Sequence, residues 1–90
     1  MQRNGAYPRP ARLPAKPPSV KPERRHALPH AMVGSIVNLT GVVVYLWLQN
    51  GRSFWFYIAD VQKDKIIGYA WMGQGWQRQD VILKLVWSYY

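Results

Sequence analysis

The side chains that could act as acids, bases or metal ligands are few and widely spaced in this 90-residue chain. Asp64 and Asp80 fall at predicted turns, where aspartate is favoured for local hydrogen bonding. No two carboxylates stand out as an acid and base pair. His26 and His30 are four residues apart, but they lie beside Pro29 and next to a Pro-rich stretch. We therefore interpret them as solvated histidines rather than metal ligands.

Nucleophiles and phosphate-binding loops give no stronger signal. Ser35, Ser53 and Ser88 have no accompanying base in the sequence. The Gly-Gln-Gly at 73–75 is typical of a turn. The chain has no cysteine, so disulfides and thiolate metal sites are excluded. The sequence predicts a protein that is not an enzyme and that holds no metal ion or cofactor.

Proline and positive charge are concentrated at the N-terminus. All seven prolines lie between Pro8 and Pro29, and seven of the twelve Lys and Arg residues lie in the first 25 positions. A stretch with so little to bury is disordered or extended when free. We divide the chain into a Pro-rich basic arm at 1–29 and a small β-barrel domain at 30–90. The arm is either a solvated tail or a segment that orders against nucleic acid or a neighbouring subunit.

The elements after the arm are short. Residues 30–39 predict one short helix or an extended entry into the first strand. Four or five strands follow, at 42–49, 52–61, 65–72, 76–79 and 81–89. Gly68 indicates a bend or bulge, and Asp80 a tight connection. The pattern predicts a mainly β fold, a small and strongly bent antiparallel barrel of the SH3 or Sm type.

The pair Asn50-Gly51 lies between two β-rich runs and is the strongest hairpin signal in the chain, because both residues tolerate positive φ. A bulged three-residue loop would pair the aliphatic side chains of the first strand with the Phe side chains of the second. The aromatic side chains would then share the other face. A two-residue loop would mix the two sets, for example by placing Trp47 beside Phe54.

In either register both faces of the sheet are apolar, which exceeds what a soluble monomer normally exposes. The helix or the arm could cover the second face, but we favour burial against another copy of the chain. The predicted interface residues are Tyr45, Trp47, Phe54, Trp55, Tyr57, Tyr69, Trp71 and Trp87. The sequence thus predicts a structural protein that self-assembles into a ring or fibre, with the arm contacting neighbouring subunits.

One motif runs through the hairpin and the next strand. Its residues are Val44, Leu46, Asn50, Gly51, Phe54, Ile58, Val61 and Lys65-Ile66-Ile67. It resembles the first motif of Sm and Sm-like proteins, including bacterial Hfq, over about residues 30–88. The resemblance implies a five-stranded barrel that closes into a ring by edge pairing. The chain differs at Phe56, where the family usually has glycine, and it lacks the family's second motif near the last strand.

In that family the loop around the Asn-Gly pair, and the aromatic position before it, help to bind RNA. The resemblance therefore implies an alternative function, an Sm- or Hfq-like RNA-binding ring, in which the basic arm neutralises phosphates. The candidate nucleic-acid contacts are Trp47, Asn50, Gly51, Arg52, Arg24 and Arg25. The predicted partners are copies of the chain itself, and RNA or another acidic partner.

A second resemblance, of the Asn-Gly-Arg-x-Phe-Trp-Phe-Tyr hairpin at 50–57, is to short aromatic-rich proteins of spore-forming Gram-positive bacteria, and implies a coat or appendage context. The longest purely apolar run, at 42–48, is too short to span a bilayer. The basic N-terminus has no apolar stretch behind it. We expect a soluble protein without a signal peptide, in the cytoplasm of the producing cell or on the spore surface.

Overall fold

The computed structural model describes residues 13–27 and 30–90, without the side chains of 30–32. Five strands and three 3-10 helices follow one another along this part of the chain. In order they are the 3-10 helices Arg24–His26 and His30–Asn38, strands β1 (Val43–Leu48), β2 (Ser53–Gln62), β3 (Lys65–Trp71) and β4 (Trp76–Ile82), the 3-10 helix Leu83–Leu85, and strand β5 (Val86–Tyr89).

The five strands form one antiparallel sheet in the order β4-β3-β2-β1-β5. The predicted mainly β, antiparallel architecture is therefore confirmed. In the described residues β4 pairs with β3 alone and β5 with β1 alone, so the sheet is not closed into the predicted barrel. β4 and β5 are thus the two edge strands of an open sheet.

The end of the sheet differs from the predicted strands at 76–79 and 81–89. β4 continues to Ile82, and Asp80 lies inside it, opposite Ile67, rather than at a tight connection. The 3-10 helix at 83–85 then interrupts the predicted last strand. It is held by two long-range backbone bonds, from the Leu83 N–H to the Asp64 carbonyl (2.9 Å) and from the Gln49 N–H to the Leu85 carbonyl (2.7 Å).

The stretch before β1 is helical, as one of the two alternatives predicts, and it is a 3-10 helix. Val33 and Ile36 are buried while Val37 is exposed. A spacing of three residues is the period of a 3-10 helix, which explains why this pair faces the core. The Ser35 hydroxyl lies 2.6 Å from the Tyr89 hydroxyl and links the helix to β5.

The core lies on one face of the sheet, beneath the helix at 30–38. It consists of Val33, Ile36, Val44, Leu46, Leu48, Phe54, Phe56, Ile58, Ile66, Ala70, Val81, Val86 and Tyr89. Both Phe side chains of β2 thus pack with the aliphatic side chains of β1. A bulge at Ala59, between the pairs that Ile58 and Asp60 make, bends β2 where it passes Gly68.

No helix of the described residues is long and apolar enough to cross a membrane.

Candidate functional site

The loop of the β1–β2 hairpin decides which side chains share a face. The Leu48 N–H donates to the Arg52 carbonyl (2.8 Å), and the Gly51 N–H donates to the Leu48 carbonyl (3.1 Å), which closes a three-residue loop. Gly51 has a φ of 92°, whereas Asn50 keeps a negative φ. This is the geometry of a type I turn followed by a glycine bulge. The three-residue alternative is confirmed, and the aliphatic and aromatic sets separate.

This register collects aromatic side chains on the face opposite the core. Successive side chains alternate along a strand, and cross-strand pairing places Tyr57 opposite Tyr69 and Trp71 opposite Trp76. We call this surface the aromatic face. It consists of Tyr45, Trp47, Trp55, Tyr57, Tyr69, Trp71 and Trp76.

Rings of the aromatic face contact one another edge to face. The Tyr45 centroid lies 5.1 Å from that of Trp47 and 5.0 Å from that of Trp55, with interplanar angles of 69° and 81°. Trp71 and Trp76 lie 5.3 Å apart at 69°. Pairs of this kind contribute about 0.5–1.5 kcal/mol beyond the burial of their area. Tyr45 and Trp47 are only 2% and 6% exposed, so the chain itself buries the centre of the face.

Two of the predicted interface residues are not members of this set. Phe54 is opposite Leu46 and packs in the core, so it is not a member of the second face. Trp87 lies in β5 and is half-buried, with the Arg24 guanidinium 4.2 Å from its ring centroid. The other six predicted interface residues belong to the aromatic face, and the structure brings them together on one surface.

Residues 13–27, which we call the Pro-rich segment, run across the sheet from one edge to the other. At β4 the Trp76 indole N–H donates to the Pro14 carbonyl (3.0 Å), and at β5 Arg24 lies over Trp87. Four inter-strand spacings separate these edges, about 19 Å in all. The ten residue steps from Pro14 to Arg24 span about 31 Å in an extended polyproline II conformation, which is enough for the crossing.

A groove of about 410 Å³ lies between the Pro-rich segment and the sheet. Its lining combines prolines, aromatic rings and two ammonium groups. The residues are Lys16, Pro17, Pro18, Ser19 and Lys21 from the segment, and Tyr45, Ser53, Phe54, Trp55, Trp71 and Gly73 from the sheet. The Tyr45 and Ser53 hydroxyls are bonded to each other at 2.9 Å, so the polar tip of this buried tyrosine is satisfied within the chain.

The Pro-rich segment is strongly basic, with four cations and Glu23 as its one acid. Glu23 pairs with Arg25 in an exposed contact, which contributes little to stability. Further along, the His26 ring lies 5.4 Å from the Tyr90 ring. The segment therefore contacts β5 through the Arg24 guanidinium and the residue after β5, Tyr90, through the His26 ring, while its lysines border the groove.

The candidate nucleic-acid residues fall into separate places. Trp47 is buried against Tyr45 and offers no open ring for a base. In the hairpin loop the Asn50 Oδ1 accepts a bond from the Arg52 N–H (3.0 Å), and the Arg52 guanidinium lies 5.3 Å from the Phe54 centroid. Arg24 and Arg25 lie at the β5 end of the Pro-rich segment and contact other residues. No single surface unites the predicted set.

Asp80 and Asp64 each contact groups of neighbouring elements. Asp80 lies 3.7 Å from both Lys65 and Arg78, in pairs that are well exposed. Asp64 is in the turn after β2, as predicted, and there its carbonyl accepts the Leu83 N–H. In the part of the chain that the structure describes, no three His, Asp or Glu residues are grouped to hold a metal ion. The side chain of His30 is outside that part.

Sequence reasoning missed Trp76, and it did not favour the alternative in which the arm covers the second face, which is where residues 13–27 lie. A signal for Trp76 was present, because Trp71 and Trp76 stand at the two ends of the turn at 72–75 and so become a cross-strand pair. The contact between Pro14 and Trp76 joins residues 62 positions apart and leaves no local pattern.

No family model, curated protein or solved structure matches this chain.

Proposed function

We propose that the chain is a non-enzymatic structural protein whose copies join when the Pro-rich arm of one copy docks on the aromatic face of the next. The observation that carries the proposal is the docking of residues 13–27 on that face within one chain. An element that packs on its own domain can make the same contacts with an identical neighbour, which is a low-cost route to oligomers. In sequence, two residues at 28–29 separate the described Pro-rich segment from the 3-10 helix that begins at His30.

The face supports this role better than the sheet edges do. Edge β4 carries Gln77, Arg78 and Gln79 among its side chains, and charged or polar edges resist pairing with another sheet. Edge β5 is four residues long. Pairing of these edges into a closed ring, which the Sm resemblance implies, is therefore less favoured than exchange of the arm.

The first experiment measures mass by light scattering from about 10 µM to about 1 mM, in low salt and in 1 M salt. We expect mass above the monomer that rises with concentration and survives 1 M salt, because the contacts are largely apolar. Trp55→Ala and deletion of residues 1–29 should each lower the mass. Ile82→Ala removes an exposed apolar side chain outside the groove and serves as the matched control. A monomer at every concentration would refute the proposal.

A complementation experiment separates exchange from other association. Trp55→Ala leaves the arm intact and damages the face, whereas the double variant Pro14→Ala, Pro17→Ala damages the arm and leaves the face intact. Each variant alone should be monomeric, and a mixture should form a 1:1 pair. A mixture that contains only monomers contradicts arm exchange.

A second candidate is the binding of single-stranded nucleic acid, and the groove lining favours it. Lys16 and Lys21 border a groove that also contains Trp55 and Trp71, and cations beside aromatic rings are what such sites use. This candidate keeps the role that the Sm resemblance implies but assigns it to different residues. A titration with oligo-A and oligo-U tests it, since binding should appear at low salt and weaken steeply as salt rises.

A further inference from the structure

The burial pattern of the Pro-rich segment on the aromatic face indicates which kind of peptide this face can bind. Pro17 is buried and Pro14 is half-buried, while Ala15, Lys16 and Pro18 are exposed. The two covered prolines are three residues apart, which is one turn of a polyproline II helix. The spacing does not continue past Pro18, because the chain bends at Ser19 and Val20, and Val20 is 79% exposed.

The hydrogen bond between the Pro-rich segment and β4 also fits a polyproline II helix. A polyproline II helix makes no internal hydrogen bonds, so its carbonyl groups are free to accept. The Trp76 indole N–H donates to one of them, the carbonyl of Pro14. Proline has no N–H and cannot extend a sheet, which agrees with a segment that crosses the strands and adds no strand of its own.

We infer that the aromatic face is a binding site for proline-rich peptides of other proteins, and that the chain's own Pro-rich segment occupies the site until such a peptide displaces it. A Pro-x-x-Pro element fits, with both prolines on the sheet and a carbonyl on Trp76. The inference rests on the proposed function in using the same face, but it does not require copies to exchange arms.

Occupancy by the chain's own segment has a measurable consequence. A peptide added in solution binds only those molecules whose segment has left the face, so its apparent affinity falls by that fraction. Weakening the segment within the full chain should therefore strengthen the binding of an added peptide. Simple adhesion to a basic or apolar surface predicts no such gain.

The test uses the full chain and three labelled peptides, with fluorescence anisotropy as the readout. One peptide has the sequence of residues 13–23, LPAKPPSVKPE. The second carries Ala at the two positions that correspond to Pro14 and Pro17 and keeps both lysines, so its charge is matched. The third is decaproline, an uncharged polyproline II ligand unrelated to the chain. We expect the first and third to bind and the second not to bind.

Two variants of the full chain then locate the site. Pro17→Ala should tighten binding of both proline peptides, on the order of tenfold, because the competitor within the chain is weaker. Trp76→Phe in the same background keeps an aromatic ring and removes the N–H donor, and should weaken binding about fivefold. Near-ultraviolet circular dichroism checks that both variants fold, and Ile82→Ala again serves as the surface control.

Three results would overturn the inference. The first is binding of the charge-matched alanine peptide as tightly as the proline peptide, and the second is an unchanged affinity for the proline peptides in Pro17→Ala. The third is binding of an oligo-U decamer where decaproline does not bind, which would assign the groove to nucleic acid. Light scattering on the same samples keeps the two proposals apart. A monomeric chain that binds decaproline supports the inference without arm exchange, and an oligomer that binds neither proline peptide refutes the inference alone.

Discussion

Replacing Gly68 by Ala tests the register that creates the aromatic face. Gly68 lies in β3 opposite Ile58, where β2 bulges at Ala59. A Cβ added there would overlap the carbonyl oxygen of Tyr57 and lie 3.1 Å from the Ala59 nitrogen. Both atoms belong to the backbone, so no side chain can rotate away, and the two strands would have to separate.

The size of the effect follows from that geometry. Overpacking in a close-packed region costs about 1–3 kcal/mol, and a collision with a carbonyl in the middle of a ladder belongs at the upper end, about 3 kcal/mol. A chain of this size has a free energy of unfolding of about 5–13 kcal/mol. The substitution should therefore lower Tm by more than about 12 °C.

Thermal and urea unfolding, followed by tryptophan fluorescence, measure the loss. Gly34→Ala is the matched control, because its Cβ would meet no heavy atom within 4 Å and its φ is not positive. The control should be neutral or stabilising by up to about 1 kcal/mol. If Gly68→Ala changes stability by less than about 0.5 kcal/mol, β2 and β3 do not approach as described, and the placement of Tyr57 opposite Tyr69 fails with them.

Four further substitutions probe the hairpin and the helix. Gly51→Ala should lower the free energy of unfolding in urea by about 1–2 kcal/mol, because an L-residue is strained at a φ of 92°. Asn50→Ala removes one exposed hydrogen bond and should cost about 0.5 kcal/mol. Equal losses would contradict the described conformation of the hairpin loop. Tyr89→Phe removes the hydroxyl that is hydrogen-bonded to Ser35 and should lower the free energy of unfolding by about 1 kcal/mol. In a double-mutant cycle with Ser35→Ala the two losses should not add, and strict additivity would show that the hydrogen bond is not made.

The hairpin, the five-stranded antiparallel content and the irregularity at Gly68 could be predicted from local sequence. An Asn-Gly pair between β-rich runs, and a glycine inside a strand pattern, each have a local cause in backbone conformation. The loop length could not be predicted, because asparagine tolerates both negative and positive φ. That single choice decides which face every aromatic side chain of the hairpin occupies.

The interruption of the last strand had no local signal. Residues 81–89 contain neither glycine nor proline and read as one apolar strand. The 3-10 helix at 83–85 is instead held by backbone bonds to Asp64 and Gln49, which lie far away in sequence. The interruption leaves four residues for β5, an edge strand of the open sheet.

The structure changes the physical basis for self-assembly. From the sequence, association follows from an excess of exposed aromatic surface. In the described residues, however, Tyr90 is the only exposed Trp, Tyr or Phe side chain, at 56%. The Pro-rich segment lies over much of the second face, so copies gain little by covering it again. Under the proposed function, assembly therefore comes from exchange of a contact that one chain already makes with itself.

If copies associate by exchanging the arm, the arm's contact within its own chain determines the protein concentration at which they associate. An arm joined to its own domain by a short connection has an effective concentration in the millimolar range. A neighbour's arm offers the same contacts and no new ones, so it competes only where the chain itself reaches comparable concentrations. We therefore expect monomers in dilute solution and arm-linked copies in a dense layer. An added proline-rich peptide should dissolve such a layer, because it occupies the same face without bringing another copy.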